Sequence, residues 1–350
     1  MKRNIEVPGF ILPGVEDITR RDLLVGGAAA LLIGGCGSDG GNGESSDETR
    51  TVEHALGTSE VPANPRRVAC LIPGGGVDYL MTYGVVPIAA ADYSAFGGGA
   101  SGRPFYGDLV DFPVEASAEE IRGFGCCAGN YNLEVISAAE PDLIIGWDYQ
   151  FEGAYDQLSQ IAPSVGFSLT NGPDWIEAGR SIAEALGRVE QHESWLDEWR
   201  GQIESLRSEF GDPSERRVTI VNASDPASLT FITAEGTQEG SIASAAGFRM
   251  TGLPEGAGEG GEISQELIPA LDADAIFVTT NFFAPEDYER FLEETYGANP
   301  LWEQLEAVQN EMVFPVDTFF WTNGGPSVNT QVILPDMFAA VFEGRQPRSA

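Results

Sequence analysis

A stretch of 22 residues near the middle of the chain, VEQHESWLDEWRGQIESLRSEF at positions 189–210, limits the possible folds more than any other segment. Its apolar or amphipathic residues recur at alternating steps of three and four, which predicts one long amphipathic helix. These residues are Val189, His192, Leu196, Trp199, Ile203, Leu206 and Phe210. The helix would be about 33 Å long, roughly the width of a small domain. Two blocks of similar length flank it, so the sequence predicts two lobes joined by a rod.

Both flanking blocks alternate short apolar strands with helices, which is typical of α/β folds built on largely parallel sheets. We therefore predict two Rossmann-like lobes joined by a single long rigid helix. The predicted division is an N-terminal lobe at 51–188, a connecting helix at 189–211 and a C-terminal lobe at 212–350. Ligands of parallel sheets bind beyond the carboxyl ends of the strands, so the ligand cleft is expected between the lobes.

The charge balance is extreme, with 54 acidic residues against 19 basic ones and a single lysine, Lys2. Acidic residues occur in every predicted element, which favours a general adaptation to high salt over the alternative of one acidic interaction surface. Nucleic acid is excluded as a partner because the sequence offers no basic face to neutralise phosphates.

The first 36 residues have the pattern of an export signal with a lipid attachment site. Arg20 and Arg21 precede an apolar run rich in Gly and Ala that is too short to span a bilayer, which indicates the twin-arginine route. Ile33-Gly34-Gly35-Cys36 resembles a lipobox, in which the thiol of Cys36 becomes lipidated. Residues 37–50 form an acidic, flexible linker. We expect the mature protein to be anchored by lipid on the outer face of the cell membrane.

Few residues are suited to catalysis or to binding a bare metal ion. The chain has two histidines, His54 and His192, and four cysteines, of which the adjacent Cys126 and Cys127 are expected to be ordinary thiols, with a vicinal disulfide as the alternative. A GxSxG motif is absent, and the glycines at 74–76 do not have the GxGxxG spacing of a dinucleotide loop. We therefore expect a protein without enzymatic activity, resident metal or cofactor, although a carboxylate-pair hydrolase stays open.

Aromatic and arginine side chains are concentrated in a loop at 92–111, which has five glycines. Binding residues often lie on such loops, whereas the alternative is that these rings pack onto their own lobe. A second feature is a pattern that occurs once in each block. NLEVISAAEPDLIIGW at 132–147 predicts a helix, a turn and a buried strand ending at Trp147. ISQELIPALDADAIFV at 263–278 repeats that order, with Ser264 as the predicted helix cap.

These phrases, together with TVEHALGTSEVPANPRRVACL, YDQLSQIAPSV and NPLWEQLEAVQNEMVFPVD, resemble the iron-siderophore and cobalamin class of ABC-transporter substrate-binding proteins, here as a lipoprotein of haloarchaeal type. The resemblance is nearly continuous from Thr51 to Phe342. It implies two α/β lobes, one rigid connecting helix and little hinge motion. It also implies that Glu134 and Glu266 dock onto arginines of a membrane permease, which works with an ATPase.

The resemblance implies a ferric siderophore as the ligand, with a corrinoid such as cobalamin as the alternative. Family members hold such chelates with aromatic rings and a few arginines, and further charge could come from Arg122 and Arg249. The candidate ligand-binding residues are Tyr93, Arg103, Tyr106, Trp147, Phe231, Phe282 and Trp321. We expect a monomer. A tethered scaffold or adhesion protein is a second alternative, and a deep cleft lined by tryptophan would argue against it.

Overall fold

The structure is a computed structural model of the chain. It describes residues 48–92, 110–114, 121–126, 131–168, 175–225, 228–232, 237–258, 261–279, 297 and 299–348. The protein has two separate larger sheets, one formed by strands that precede the predicted rod in the sequence and one by strands that follow it. A two-stranded hairpin precedes the first sheet. No helix in these ranges combines the length and the apolarity that crossing a membrane requires.

The first sheet is wholly parallel, with the strand order β5-β4-β3-β6-β7. Its strands are β3 Val68–Cys70, β4 Ala89–Ala90, β5 Arg122–Gly123, β6 Leu143–Trp147 and β7 Ser164–Phe167. The described helices of this lobe are α1 Gly75–Thr82, α2 Leu133–Ala138, α3 Tyr155–Ile161 and α4 Trp175–Leu186. An antiparallel hairpin, β1 Thr49–His54 and β2 Gly57–Pro62, lies beside β7. The predicted parallel α/β arrangement is confirmed here.

The central strands of this sheet, β3, β4 and β6, are apolar because both of their faces are covered. Successive residues point to opposite faces, so Val68 and Cys70 enter one core cluster while Ala69 and Leu71 enter another. Each cluster also contains helical side chains, which places helices on both sides of the sheet.

The second sheet is mixed, with the order β11-β9-β8-β12-β13 and β10 paired beside β8. Its strands are β8 Arg217–Asp225, β9 Ser228–Ile232, β10 Arg249–Met250, β11 Glu262–Ile263, β12 Ala275–Thr279 and β13 Val313–Pro315. β8 and β9 are antiparallel because only two residues separate them, too few for the crossover that parallel neighbours need. The expectation that this lobe repeats the first therefore holds for β8, β10, β12 and β13 but not for β9 and β11.

In the part of the second lobe that the structure describes, the helices before the closing one are α6 Gln238–Ala246, α7 Glu306–Gln309 and α8 Thr318–Asn323. A closing helix follows, which comprises Pro326–Val328, a π-helical segment Asn329–Ile333 and Leu334–Glu343. The helix predicted at Glu266 is a 3-10 helix, Gln265–Leu271, in which Ser264 makes no side-chain cap. Pro269 explains the difference, since it lacks the N–H that an α-helix would use there.

The connecting helix, α5, spans Val189–Phe210 as the periodicity predicts. Its buried face contains the predicted His192, Leu196, Trp199, Ile203 and Leu206, and also Trp195, which the predicted stripe omits. The helix ends where Gly211 takes a positive φ of 114°, a conformation that glycine adopts without steric cost.

Candidate functional site

Two aromatic rings meet at the carboxyl ends of neighbouring strands in the first sheet. Trp147 ends β6 and Phe167 ends β7, and their ring centroids are 6.3 Å apart in an edge-to-face arrangement. The main-chain N–H of Trp147 donates to the side-chain oxygen of the buried Gln150 over 2.8 Å, which fixes the start of the following turn. Trp147 is half-buried, so part of its surface stays open to a ligand at the edge that α/β proteins use for binding.

The corresponding edge of the second sheet is polar at β8 and β12. The Asn222 amide donates to the hydroxyl of Thr279, the last residue of β12, over 3.0 Å. Phe231 lies in β9 opposite Val221. Trp321 is 0 % exposed, and its ring centroid lies 4.9 Å from that of Phe277 in the hydrophobic core. The expectation that Trp321 lines an open cleft is therefore corrected, because this ring is a core side chain.

The remaining predicted ligand residues, Tyr93, Arg103, Tyr106 and Phe282, lie outside the described residues, as does Cys36. Arg122 is exposed on β5, and its guanidinium donates to the Ala138 carbonyl at the end of α2 over 3.0 Å. Arg249 is exposed on the short strand β10. Arg122 therefore braces its own lobe.

Glu134 and Glu266 occupy equivalent places in the two lobes. Each lies in the first turn of an exposed helical segment that precedes a buried strand, β6 or β12 respectively. Asn132 caps the first of these helices by accepting from the Val135 N–H. Both glutamates are exposed, and neither is in an ion pair within the described ranges. Two free surface carboxylates, one on each lobe, suit a partner that carries two cations.

Both histidines serve the framework. The unprotonated Nδ1 of His54 accepts the N–H of Leu56 over 3.2 Å, so its Nε2–H donates to Ser59 over 3.0 Å. His192 is buried on the rod with Nδ1 2.9 Å from the Tyr83 hydroxyl. Burial lowers the pKa of both imidazoles. No group of three or more metal-ligating side chains is assembled among the residues that the structure describes.

The cysteines differ from the expectation of ordinary thiols. Cys126 is disulfide-bonded, and Cys70 is a free, buried thiol whose pKa burial raises to about 12. Cys36 and Cys127 lie outside the described residues, so the vicinal disulfide stays a prediction.

A cavity of about 270 Å³ lies within the first lobe, and Phe167 at the carboxyl end of β7 is among its lining residues. The hairpin, the end of β7 and α4 enclose it, and its polar groups include Glu53, His54 and Glu184. It does not involve the second lobe.

The two lobes contact each other at residues that were not among the predicted functional residues. A side chain at Gly75 would place its Cβ 2.6 Å from the Asn323 carbonyl oxygen, so these glycines permit close approach rather than nucleotide binding. On the rod, the Trp195 indole N–H lies 3.1 Å from the Pro326 carbonyl, which ties α5 to the second lobe. Beside this contact the Asp78 carboxylate is fully buried, and burial raises its pKa to about 6 against the opposing effect of its hydrogen bonds. In the sequence, Asp78 is a single acidic residue within an apolar run, and this was the signal that could have indicated the junction.

Comparison with known proteins agrees with this architecture. A family model described as periplasmic binding protein matches residues 128–318. The probable siderophore-binding lipoprotein YfiY of Bacillus subtilis is 28% identical over 324 residues, covering 88% of this chain and 94% of its own length. The Fe(3+)-citrate-binding protein YfmC of the same organism is 25% identical, covering 90% and 94%.

Among solved structures, Staphylococcus aureus SirA complexed with staphyloferrin B superposes with a TM-score of 0.66 at 24% identity. It covers 84% of this chain and 98% of its own, and at this identity it shows the fold alone. The family match extends over more than half of the chain, from a point between β5 and β6 of the first lobe to the first residue of α8. The chain therefore belongs to the periplasmic binding protein family.

Proposed function

We propose that this protein captures a ferric siderophore outside the membrane and delivers it to an ABC importer. The observation that carries the proposal is the match to a siderophore-binding lipoprotein over 88% of the chain and 94% of that relative. Relatives described as binding ferric citrate and iron hydroxamate match over 90% of the chain each. An iron chelate is thus the shared ligand chemistry, and the chain would bind it without turnover.

The ligand would lie between the lobes and contact Trp147 at the end of β6. The exposed part of this ring offers an apolar surface for the organic shell of the chelate. Tyr93, Arg103, Tyr106, Phe231 and Phe282 are proposed as further contacts. A chelate whose metal is already enclosed requires no metal ligands from the protein.

Delivery would use the two exposed glutamates, Glu134 and Glu266. Permease arginines can bind a carboxylate with two parallel hydrogen bonds, and two such pairs one lobe apart would fix the orientation of docking. The ATPase of the importer then supplies the energy of transport.

The tether follows from the N-terminal sequence. Twin-arginine export, lipidation at Cys36 and the acidic linker would hold a monomer near its permease at the outer face of the membrane, with the linker ending before Thr49, where β1 begins. The acidic surface would keep the protein soluble in concentrated salt.

Tryptophan fluorescence of the full chain in molar salt tests the ligand assignment. The protein is titrated with ferric hydroxamate, ferric catecholate, ferric citrate and cobalamin, with free tryptophan as the control for light absorbed by the ligand. Saturable quenching by one ferric chelate is expected, and Trp147→Phe should remove much of it. Trp302→Phe is the matched control because Trp302 is buried in the core of the second lobe.

Saturation by cobalamin alone would replace the siderophore with a corrinoid. Absence of quenching by all four compounds would refute the proposal. Recovery of chemically altered chelate after incubation would indicate an enzyme.

A further inference from the structure

One buried carboxylate joins the two lobes directly. Asp78 belongs to α1 of the first lobe, and its carboxylate accepts three main-chain N–H groups from the start of the closing helix in the second lobe. Oδ2 accepts from Gly325 over 2.9 Å and from Val328 over 3.0 Å, while Oδ1 accepts from Ser327 over 3.0 Å. The Thr82 hydroxyl adds a fourth bond of 2.9 Å to Oδ1. Each carboxylate oxygen therefore has two donors.

The closing helix itself offers no acceptor for these three main-chain N–H groups. N–H groups in the first turn of a helix have no intrahelical acceptor, and a negative charge there also interacts favourably with the helix dipole. Movement of the lobes apart at this point would leave three donors and one carboxylate without these bonds. Loss of partners for buried polar groups is costly, so the contact favours one lobe arrangement strongly.

The backbones approach so closely here that side chains would not fit. A Cβ at Gly325 would lie 2.6 Å from the Asp78 Cβ and 2.9 Å from the Gly75 carbonyl oxygen. Contacts below 3.0 Å require atoms to shift, so glycine at this position is part of the junction.

A second crossing lies nearby on the same helix. The Gln331 side-chain oxygen accepts the Asp111 N–H, and its amide donates to the Asp111 carbonyl, both over 2.8 Å. Asp111 is the last residue of the predicted binding loop, whereas Gln331 lies in the π-helical segment. The first turns of the closing helix thus form hydrogen bonds with the first lobe at Asp78, at Asp111 and between the hydroxyls of Ser327 and Thr82, which lie 2.7 Å apart.

We infer that Asp78 is the latch that fixes the angle between the lobes, and so positions the two walls of the ligand cleft. It also sets the separation of Glu134 and Glu266. The inference rests on the proposed function for its effect on ligand release, while the lobe angle itself is measurable without any ligand.

Distances between spin labels on the two lobes test the latch in the full chain. Ser137→Cys on α2 and Gln304→Cys in the second lobe are exposed sites for the labels. Labelled protein without these two substitutions gives the background from the native cysteines. Pulsed electron paramagnetic resonance then gives the distribution of distances between the two labels in the protein with the native Asp78 and in each variant.

The variants are Asp78→Ala and Asp78→Asn, with Asp336→Asn as the matched control. Asp336 is also a buried carboxylate, but it accepts from Arg348 within the second lobe over 2.7 Å. In Asp78→Asn either orientation of the amide turns an NH₂ group toward N–H donors, so the shape is kept while the latch is lost. This variant decides the outcome if Asp78→Ala does not fold.

The expected result is a broader or shifted distribution in both Asp78 variants and an unchanged one in Asp336→Asn. If the distance distribution in Asp78→Asn had the same width and the same mean as in the parent, the inference would be overturned. For the consequence, dissociation of the ferric chelate identified by titration should be at least several-fold faster in Asp78→Asn. A parent chain that binds no chelate would refute the proposed function, while the label distances would still decide the role of Asp78.

Discussion

Replacement of Glu239 by glutamine should stabilise the protein at alkaline pH and have little effect in acid. Glu239 is the second residue of α6 and is 3 % exposed. Burial raises the pKa of its carboxyl to about 7 from an ordinary value of 4.5, and a bond from its own N–H only partly opposes this. The folded state therefore binds this proton more tightly than the unfolded state does, so stability falls as the pH rises from about 4.5 to about 7.

The size of the effect follows from the pKa difference. A rise from 4.5 to about 7 corresponds to about 3 kcal/mol lost between acid and alkaline conditions, at about 1.4 kcal/mol per pKa unit. Glutamine keeps the shape of the side chain and does not ionise. We expect Glu239→Gln to exceed the parent in free energy of unfolding by about 1–3 kcal/mol at pH 8 and to be near it at pH 4.5. Urea unfolding in molar salt, followed by circular dichroism, measures both values.

Glu190→Gln is the matched control, because Glu190 is the second residue of α5 but is exposed. Because no burial cost is relieved at this exposed site, Glu190→Gln should give no gain in stability at pH 8 comparable to that of Glu239→Gln. If the difference between Glu239→Gln and the parent were the same at pH 4.5 and pH 8, the reasoning from burial would be refuted.

Three further outcomes are expected. Gly325→Ala should destabilise the protein by about 1–3 kcal/mol in urea unfolding because its Cβ would meet that of Asp78 at 2.6 Å, whereas Gly252→Ala, with open space around it, should cost under about 1 kcal/mol. Reversing the charge of Glu134 and Glu266 together should abolish uptake of the chelate in cells while leaving its affinity unchanged, and lost affinity would show misassignment. Transfer from molar to about 0.1 M salt lengthens the screening distance from about 3 to 10 Å. The melting temperature should fall, and a constant value would contradict salt adaptation.

The elements predicted best are those whose stability depends on local periodicity. The rod is bounded as its stripe predicts, from Val189 to Phe210. The apolar runs of β6 and β12 are likewise strands, because strands covered on both faces contain few polar residues. Trp195 was missed because tryptophan at this position extends the apolar face beyond a narrow three-and-four stripe. Its contact with Pro326, 131 positions away, makes the wider face necessary.

The junction between the lobes could not be predicted from local patterns. Asp78 and its three donors are separated by 247 to 250 positions, and neither segment carries a sign of the other. The glycines at 74–76 resembled a ligand loop because glycine marks close approach without naming the approaching group. Here the group near Gly75 is the backbone at Asn323. Only the tertiary structure distinguishes these cases.

Trp147 and Trp321, both predicted from the sequence to contact the ligand, have different surroundings in the structure. Trp147 ends a strand of a parallel sheet, where the chain turns outward and leaves the ring half-exposed. Trp321 lies in α8, and its ring packs against Phe277 from the neighbouring strand β12, fully buried. Residue type indicated a binding role for both, but exposure depends on the layer in which each ring lies. Among the predicted ligand residues whose side chains the structure describes, Trp147 alone offers an open ring surface, so ligand quenching should depend on Trp147 far more than on Trp321.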